Sequence, residues 1–208
     1  FDIARFYPAQ KEKAFVKNRS FENAQTIYTP PVHPKEPYIS SRELFVSPFY
    51  AREKELGGYF ENEVGGWERA FAYESNRQKL DNYLQQVPVR GNEWDRRHVP
   101  YEIANAEHLA MSESAGMINL SHFAIVDVEG PDAERMLEHL SVAKIGGDTP
   151  EDKIIYTNFL DDDGGVHADL TISRLSTDRY RVVTGGADGN QDWLTMRNYR
   201  DDIGLEAE

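Results

Sequence analysis

Residue 169 is the first place where residue type and spacing could support chemistry. Val166, Ala168, Leu170 and Ile172 alternate along one face of a strand. That alternation puts Asp169 on the other face, with His167 and Thr171. Gly164-Gly165 makes a turn just before the strand. A carboxylate held rigidly on a sheet, near a glycine turn that lets a ligand approach, could exchange a proton or a hydrogen bond with that ligand. The same pattern also fits a surface carboxylate on the solvated face of an antiparallel sheet, and from spacing alone this is the simpler reading.

Other chemistry-bearing residues read more plainly. The strand 179–184 followed by Gly185-Gly186-Ala187-Asp188-Gly189 imitates a nucleotide-binding turn. It is not G-x-G-x-x-G, it has no Walker lysine, and its strand arrives by a hairpin, so an ordinary helix start is expected. No two of the six histidines lie three or four residues apart, so no metal spacing exists among them. His122 reads as a packed or loop histidine. Asn18-Arg19-Ser20 and Asn119-Leu120-Ser121 match the glycosylation sequon by chance. Asp161-Asp162-Asp163 is a solvated turn, with cation binding as the lesser alternative. There is no cysteine, which removes thiol catalysis and zinc–cysteine sites and fits a reducing compartment.

The elements that must position these residues follow from pattern. The 208 residues suit one domain with an appendage, and 39% hydrophobic residues suffice for a core. Thirty-six acidic against 23 basic residues leave a charge of −13, which disfavours a nucleic-acid partner. No apolar run is long enough to span a membrane. Residues 1–45 read as an irregular, extended arm, because Thr29-Pro30-Pro31-Val32-His33-Pro34 resists helix. A short helix over 50–56 stops at Gly57-Gly58. Residues 65–69 read as a loop or turn, 70–73 as strand-like, and 80–84 as a helix within a polar connection. Pro100 starts a helix that runs to about residue 114. Residues 117–120 and 123–128 are strand-like. Met136, Leu137 and Leu140 recur at helical spacing after Gly130-Pro131-Asp132. Strands over 153–160, 166–172 and 179–184 are joined by tight turns, and a helix covers roughly 188–199. The fold class is therefore α+β: an antiparallel meander with packed helices and an extended N-terminal arm. The chain lacks an initiator methionine and reads as a piece of a longer polypeptide.

Taken together in order, several segments resemble one family. They are Ser47-Pro48-Phe49-Tyr50, Gly66-Trp67-Glu68-Arg69, Asn119-Leu120-Ser121-His122-Phe123, Val128-Glu129-Gly130-Pro131-Asp132 and Tyr156-Thr157 with Gly164-Gly165-Val166-His167-Ala168-Asp169-Leu170. Their order and spacing resemble the folate-binding domain of the aminomethyltransferase (glycine-cleavage T-protein) family. The version it looks most like is the one fused to FAD-dependent dimethylglycine and sarcosine dehydrogenases. Residues 1–45 resemble the end of the central domain of those oxidoreductases, and residues 46–208 the N-terminal portion of the folate-binding domain.

The resemblance implies one-carbon chemistry on tetrahydrofolate. The carbon of an oxidised N-methyl amine, dimethylglycine- or sarcosine-like, would be captured as 5,10-methylenetetrahydrofolate. Asp169 falls at the family's catalytic carboxylate, which hydrogen-bonds a folate nitrogen. Phe123, Tyr156, Val183, Thr184 and Gly185 fall at positions that border the folate; Gly185 stands where the T-protein often has Asn. FAD would belong to a domain outside this chain, and the rest of the polypeptide would be its partner. The expected compartment is the cytoplasm, or the mitochondrial matrix in a eukaryote. Two alternatives carry the same resemblance: a tetrahydrofolate-dependent O- or S-demethylase, and a non-catalytic module like the pyruvate dehydrogenase phosphatase regulatory subunit.

Overall fold

The computed structural model describes residues 5–27, 38–60, 62–83, 85–86 and 101–208. Its helices are α1 (Lys13–Thr26), α2 (Tyr50–Glu55), α3 (Leu80–Tyr83), α4 (Tyr101–Glu113), α5 (Ala133–Leu140) and α6 (Gly189–Ile203). Its strands are β1 (Asn62–Val64), β2 (Trp67–Arg69), β3 (Ala124–Glu129), β4 (Ile154–Leu160), β5 (Val166–Arg174) and β6 (Arg179–Thr184). The chain forms two compact units, Pro8–His122 and Phe123–Glu208, the second joined by the described residues before Pro8.

The second unit is built on a four-stranded antiparallel sheet in the order β3-β6-β5-β4. The strands β4, β5 and β6 form the expected meander. β3 adds at the far edge beside β6, so the connection through α5 must cross the sheet. Each turn has a chemical cause. Asp161 Oδ1 accepts the amides of Asp163 (3.1 Å) and Gly165 (2.6 Å), and Gly164 takes φ +81°, which favours glycine. This first aspartate of the triple is thereby used as a turn cap. Ser176 donates to Asp178 (2.8 Å) in the next turn. Both α5 and α6 cover one face. Val128, Met136, Leu137, Phe159, Leu170, Ile172, Tyr180, Val182 and Met196 make the core between them. α6 runs four residues beyond its expected end and stops at Gly204, φ +66°. Its first residue must be glycine: a Cβ on Gly189 would lie 2.2 Å from the Ala124 Cβ. The Gly185–Gly189 stretch is thus a close-packed helix start on an antiparallel strand, as its pattern implies.

The first unit corrects several expectations. Residues 1–45 are not wholly irregular or extended: α1 occupies fourteen of them, preceded by a 3-10 turn at Pro8–Lys11. Only half of its residues are strong helix formers, and Phe15, Val16 and Phe21 make no helical stripe. What anchors α1 is a cation. Arg19 is buried, donates to Glu63 Oε2 (2.5 Å), and lies 4.1 Å from the Tyr38 ring centre. The proline-rich stretch 29–34 lies outside the described residues, as do Pro100 and Leu84. Residues 65–69 are not all loop: Gly65-Gly66 is the turn of a hairpin whose return strand is β2. Residues 70–73 form no strand of their own, only a single bridge from Tyr73 to Gly58. Residues 117–120 are also not a strand. Asn119 Oδ1 accepts the Ser121 amide at 3.0 Å, a local turn that competes with extended pairing.

Candidate functional site

Register assigns every side chain of the large sheet to one of its two faces. Helices α5 and α6 cover the face of Val128, Ile155, Thr157, Phe159, Leu170, Ile172, Val182 and Thr184. The opposite face carries a row across all four strands: Ile125, Val183, Thr171 and Tyr156. Asp169 stands one row further on the same face, paired across to Asn158 on β4. Tyr156 is 68% exposed and Ile125 63%, so this face is open and partly apolar.

Tyr156 and Asp169 are not opposite each other, but diagonal neighbours on adjacent strands. The Tyr156 hydroxyl donates to Asp169 Oδ2 at 3.0 Å. That bond to a carboxylate raises the Tyr156 pKa, so the phenol keeps its proton and remains a donor. Neither side chain is buried. An exposed carboxylate with one oxygen held and an aromatic ring beside it can accept an N–H from a flat, partly apolar ligand.

The other residues singled out by sequence divide between the two faces. Val183 shares the open face with Asp169 and Tyr156. Phe123 sits just before β3, partly exposed. Gly185 follows β6, and a Cβ there would meet nothing closer than Asp188 Oδ2 at 4.0 Å. Neither crowding nor a positive φ demands glycine at that position. Thr184 departs from the expectation for its side chain. It is the last residue of β6, and its hydroxyl points to the helix side, donating to Asp192 Oδ2 at 2.5 Å. Only its main chain lies near the open face. His167 also changes face. A bulge pairs Val166 with Leu160 but Ala168 with Phe159, leaving His167 as the extra residue. It therefore meets α6, with Nε2 at 3.1 Å from Thr195 Oγ1, instead of sharing a face with Asp169.

The sequence profile of the GCVT N-terminal domain matches residues 49–207. The chain belongs to this family. Residues 1–47 match the FAD dependent oxidoreductase central domain. The chain is 35% identical, over 88% of its length and 21% of the relative's, to the 4-methylaminobutanoate oxidase (formaldehyde-forming) of Paenarthrobacter nicotinovorans. It is 36% identical, over 50% of its length and 28% of the relative's, to the aminomethyltransferase of Cupriavidus taiwanensis. The chain thus spans between a fifth and a third of the length of these curated relatives. Among solved structures, the glycine cleavage system aminomethyltransferase T from Bartonella henselae superposes with a TM-score of 0.56 at 19% identity. That match covers 79% of this chain and 37% of the other, and it supports the α+β fold.

Two polar clusters in this GCVT domain escape sequence reasoning. In the second unit, Asp192 is buried beside Thr184 and His167. In the first unit, the Glu53 carboxylate accepts Tyr73 (2.8 Å), Asn119 (3.1 Å) and Ser47 (3.2 Å) beside a cavity of about 300 Å³. Burial and the Glu53 bond together raise the Tyr73 pKa. The Asn119 amide of the sequon is engaged inside this cluster. A signal for Asp192 did exist: it falls in the buried stripe Gly189, Asp192, Met196, where an apolar residue is expected. No group of three or more metal-ligating side chains occurs among the described residues, and none of their helices is long and apolar enough to cross a membrane.

Proposed function

We propose that the open sheet face binds tetrahydrofolate and serves one-carbon transfer. The observation that carries this reading is the exposed Tyr156–Asp169 pair on an open, partly apolar face. The residues fit such a ligand: Ile125, Val183 and the Tyr156 ring offer apolar surface to a flat heterocycle, and Asp169 offers an acceptor for its N–H groups. Tetrahydrofolate, when bound, supplies the nitrogens that take up the one-carbon unit. Asp169 would orient the ligand through an accepted hydrogen bond and receive a proton as the nitrogen reacts. Tyr156 would hold Oδ2 and leave Oδ1 toward the ligand. Phe123 and the open space over Gly185 would border the ring.

The carbon donor in this reading is an oxidised N-methyl amine, and the product is methylenetetrahydrofolate. The match of residues 1–47 to an oxidoreductase central domain and the identity to an N-methyl amine oxidase support that donor. FAD would then be held by a domain outside this chain, and the remaining polypeptide would complete the folate site.

The test is titration calorimetry with 5-formyltetrahydrofolate, first on this chain and then on the full polypeptide, with Asp169→Asn beside each. Binding weakened by the substitution, and folate-coupled turnover lowered about a hundredfold or more, is the expected result. Unchanged turnover in Asp169→Asn would remove Asp169 from the reaction.

A further inference from the structure

Asp192 poses a question that stability does not answer. It is 1% exposed, in the first turn of α6, at a place where an apolar residue would extend the core. Burial raises its pKa, with the Thr184 hydroxyl and His167 pulling the other way. Replacing buried ionic groups by apolar ones is often neutral or stabilising, so a buried carboxylate calls for a reason other than stability.

Its contacts supply one. Thr184 donates to Oδ2 at 2.5 Å, and His167 Nε2 lies 3.8 Å from Oδ1. Thr184 is the last residue of β6 and the register partner of Leu170, the residue after Asp169. His167 is the bulge residue two positions before Asp169. Pairing between β5 and β6 ends at Leu170 and Thr184, so Asp169 has a strand partner on β4 alone. The Asp192 carboxylate therefore fastens the β6 partner of Leu170 to a long helix, and the same helix holds His167 through Thr195 Oγ1 at 3.1 Å. Asp169 thus lies one residue past the end of the β5–β6 ladder and next to a bulge, where strands fray, and the Thr184–Asp192 bond ties that ladder end to α6.

We propose that Asp192 is a positioning residue for Asp169, acting through Thr184 to hold the reactive carboxylate still on the open face. This rests on the reading of Asp169 given above. A rigid second layer behind a reactive group matters because misplacement by about 1 Å can cost about a hundredfold in rate.

Three variants test it in the full polypeptide: Thr184→Val, which keeps shape and loses the hydroxyl; Thr184→Ser, which restores it; and Asp192→Asn, which keeps an acceptor oxygen but not the charge. Hydrogen exchange over residues 167–171, the Kd for 5-formyltetrahydrofolate, and kcat with KM for tetrahydrofolate are read for each. In Thr184→Val, exchange over 167–171 accelerates about tenfold while residues 133–140 stay protected, and kcat falls about tenfold with KM and Kd within about twofold. Thr184→Ser returns both to wild type, and Asp192→Asn moves them the same way by less. Wild-type exchange and kcat in both Thr184→Val and Asp192→Asn, or failure of serine to restore them, overturns the inference and leaves the role of Asp169 standing. Full turnover in Asp169→Asn overturns the Asp169 reading and this inference together.

Discussion

The two compact units are held together by different forces. Residues 123–208 enclose thirteen buried apolar side chains between a sheet and two helices. The described residues of 8–122 bury fewer apolar side chains, chiefly Ala72, Tyr83, Ile103 and Ala106, and set carboxylates inside instead. Glu68 is buried against Arg42, with contacts at 2.9 and 2.5 Å, and also accepts the Glu43 amide at 2.7 Å. Glu63 holds Arg19, and Glu53 gathers three neutral donors. Hydrophobic burial tolerates exchange among apolar residues of similar volume, whereas a buried charge tolerates almost no loss of its partner. The two units should therefore respond to mutation by different rules.

Arg42→Ala should have the largest effect. It strands Glu68 without a cation and should cost about 3–5 kcal/mol. Urea unfolding gives the total, and hydrogen exchange should show the loss of protection concentrated in residues 42–83. A cost below about 1 kcal/mol would mean that Glu68 does not depend on the Arg42 cation, and the comparison would collapse. Leu137→Ala in the other unit should cost about 3 kcal/mol by cavity formation. Leu137→Met should recover most of it, since volume is what that core requires. Equal damage from both substitutions would argue against an apolar packing rule there.

Glu53→Gln should cost about 1–2 kcal/mol, because an amide cannot accept from all three donors that the carboxylate serves. A thermal melt at neutral pH measures it, and no change in Tm would mark the cluster as incidental.

The smallest effect concerns a surface ion cluster of three residues in the sheet unit. Arg181, and then Arg179, hold the Asp127 carboxyl at about 2, below its ordinary 3.8. A depressed folded-state pKa contributes stability above the unfolded value and loses it as pH falls through the folded one. Asp127→Asn should therefore cost less than about 1 kcal/mol at neutral pH, and the difference from wild type should vanish near about pH 2. A difference that grows on acidification would reverse the assignment.

How much was legible follows the same division. The meander β4–β6, α5 and α6 could be read because alternation and helical spacing record which side chains face a core. Helix α1 was illegible, because its anchor is the pairing of Arg19 with Glu63, forty-four residues away, and no local period encodes that. The strand β2 was hidden in a glycine-rich segment whose hairpin partner is only three residues long. At the candidate site, Asp169, Tyr156 and Val183 were placed by pattern or resemblance and do share a face. His167 was misassigned because a bulge interrupts the period of two, whereas Thr184, placed by resemblance, keeps that period, which puts its side chain on the helix face with Tyr180 and Val182.

By itself, the sequence determined the α+β class, the strand order along the meander and the absence of thiol chemistry, while Asp169 stood out as the carboxylate to watch only through the resemblance. The first three depend on composition or on side-chain alternation within one segment. Tertiary structure alone decided that β3 closes the sheet beside β6, that Tyr156 donates to Asp169, and that Thr184 donates to the buried Asp192. Those facts need the relative placement of strands and a helix distant in sequence. That placement is set by packing and by pairing across the sheet, which no local pattern contains.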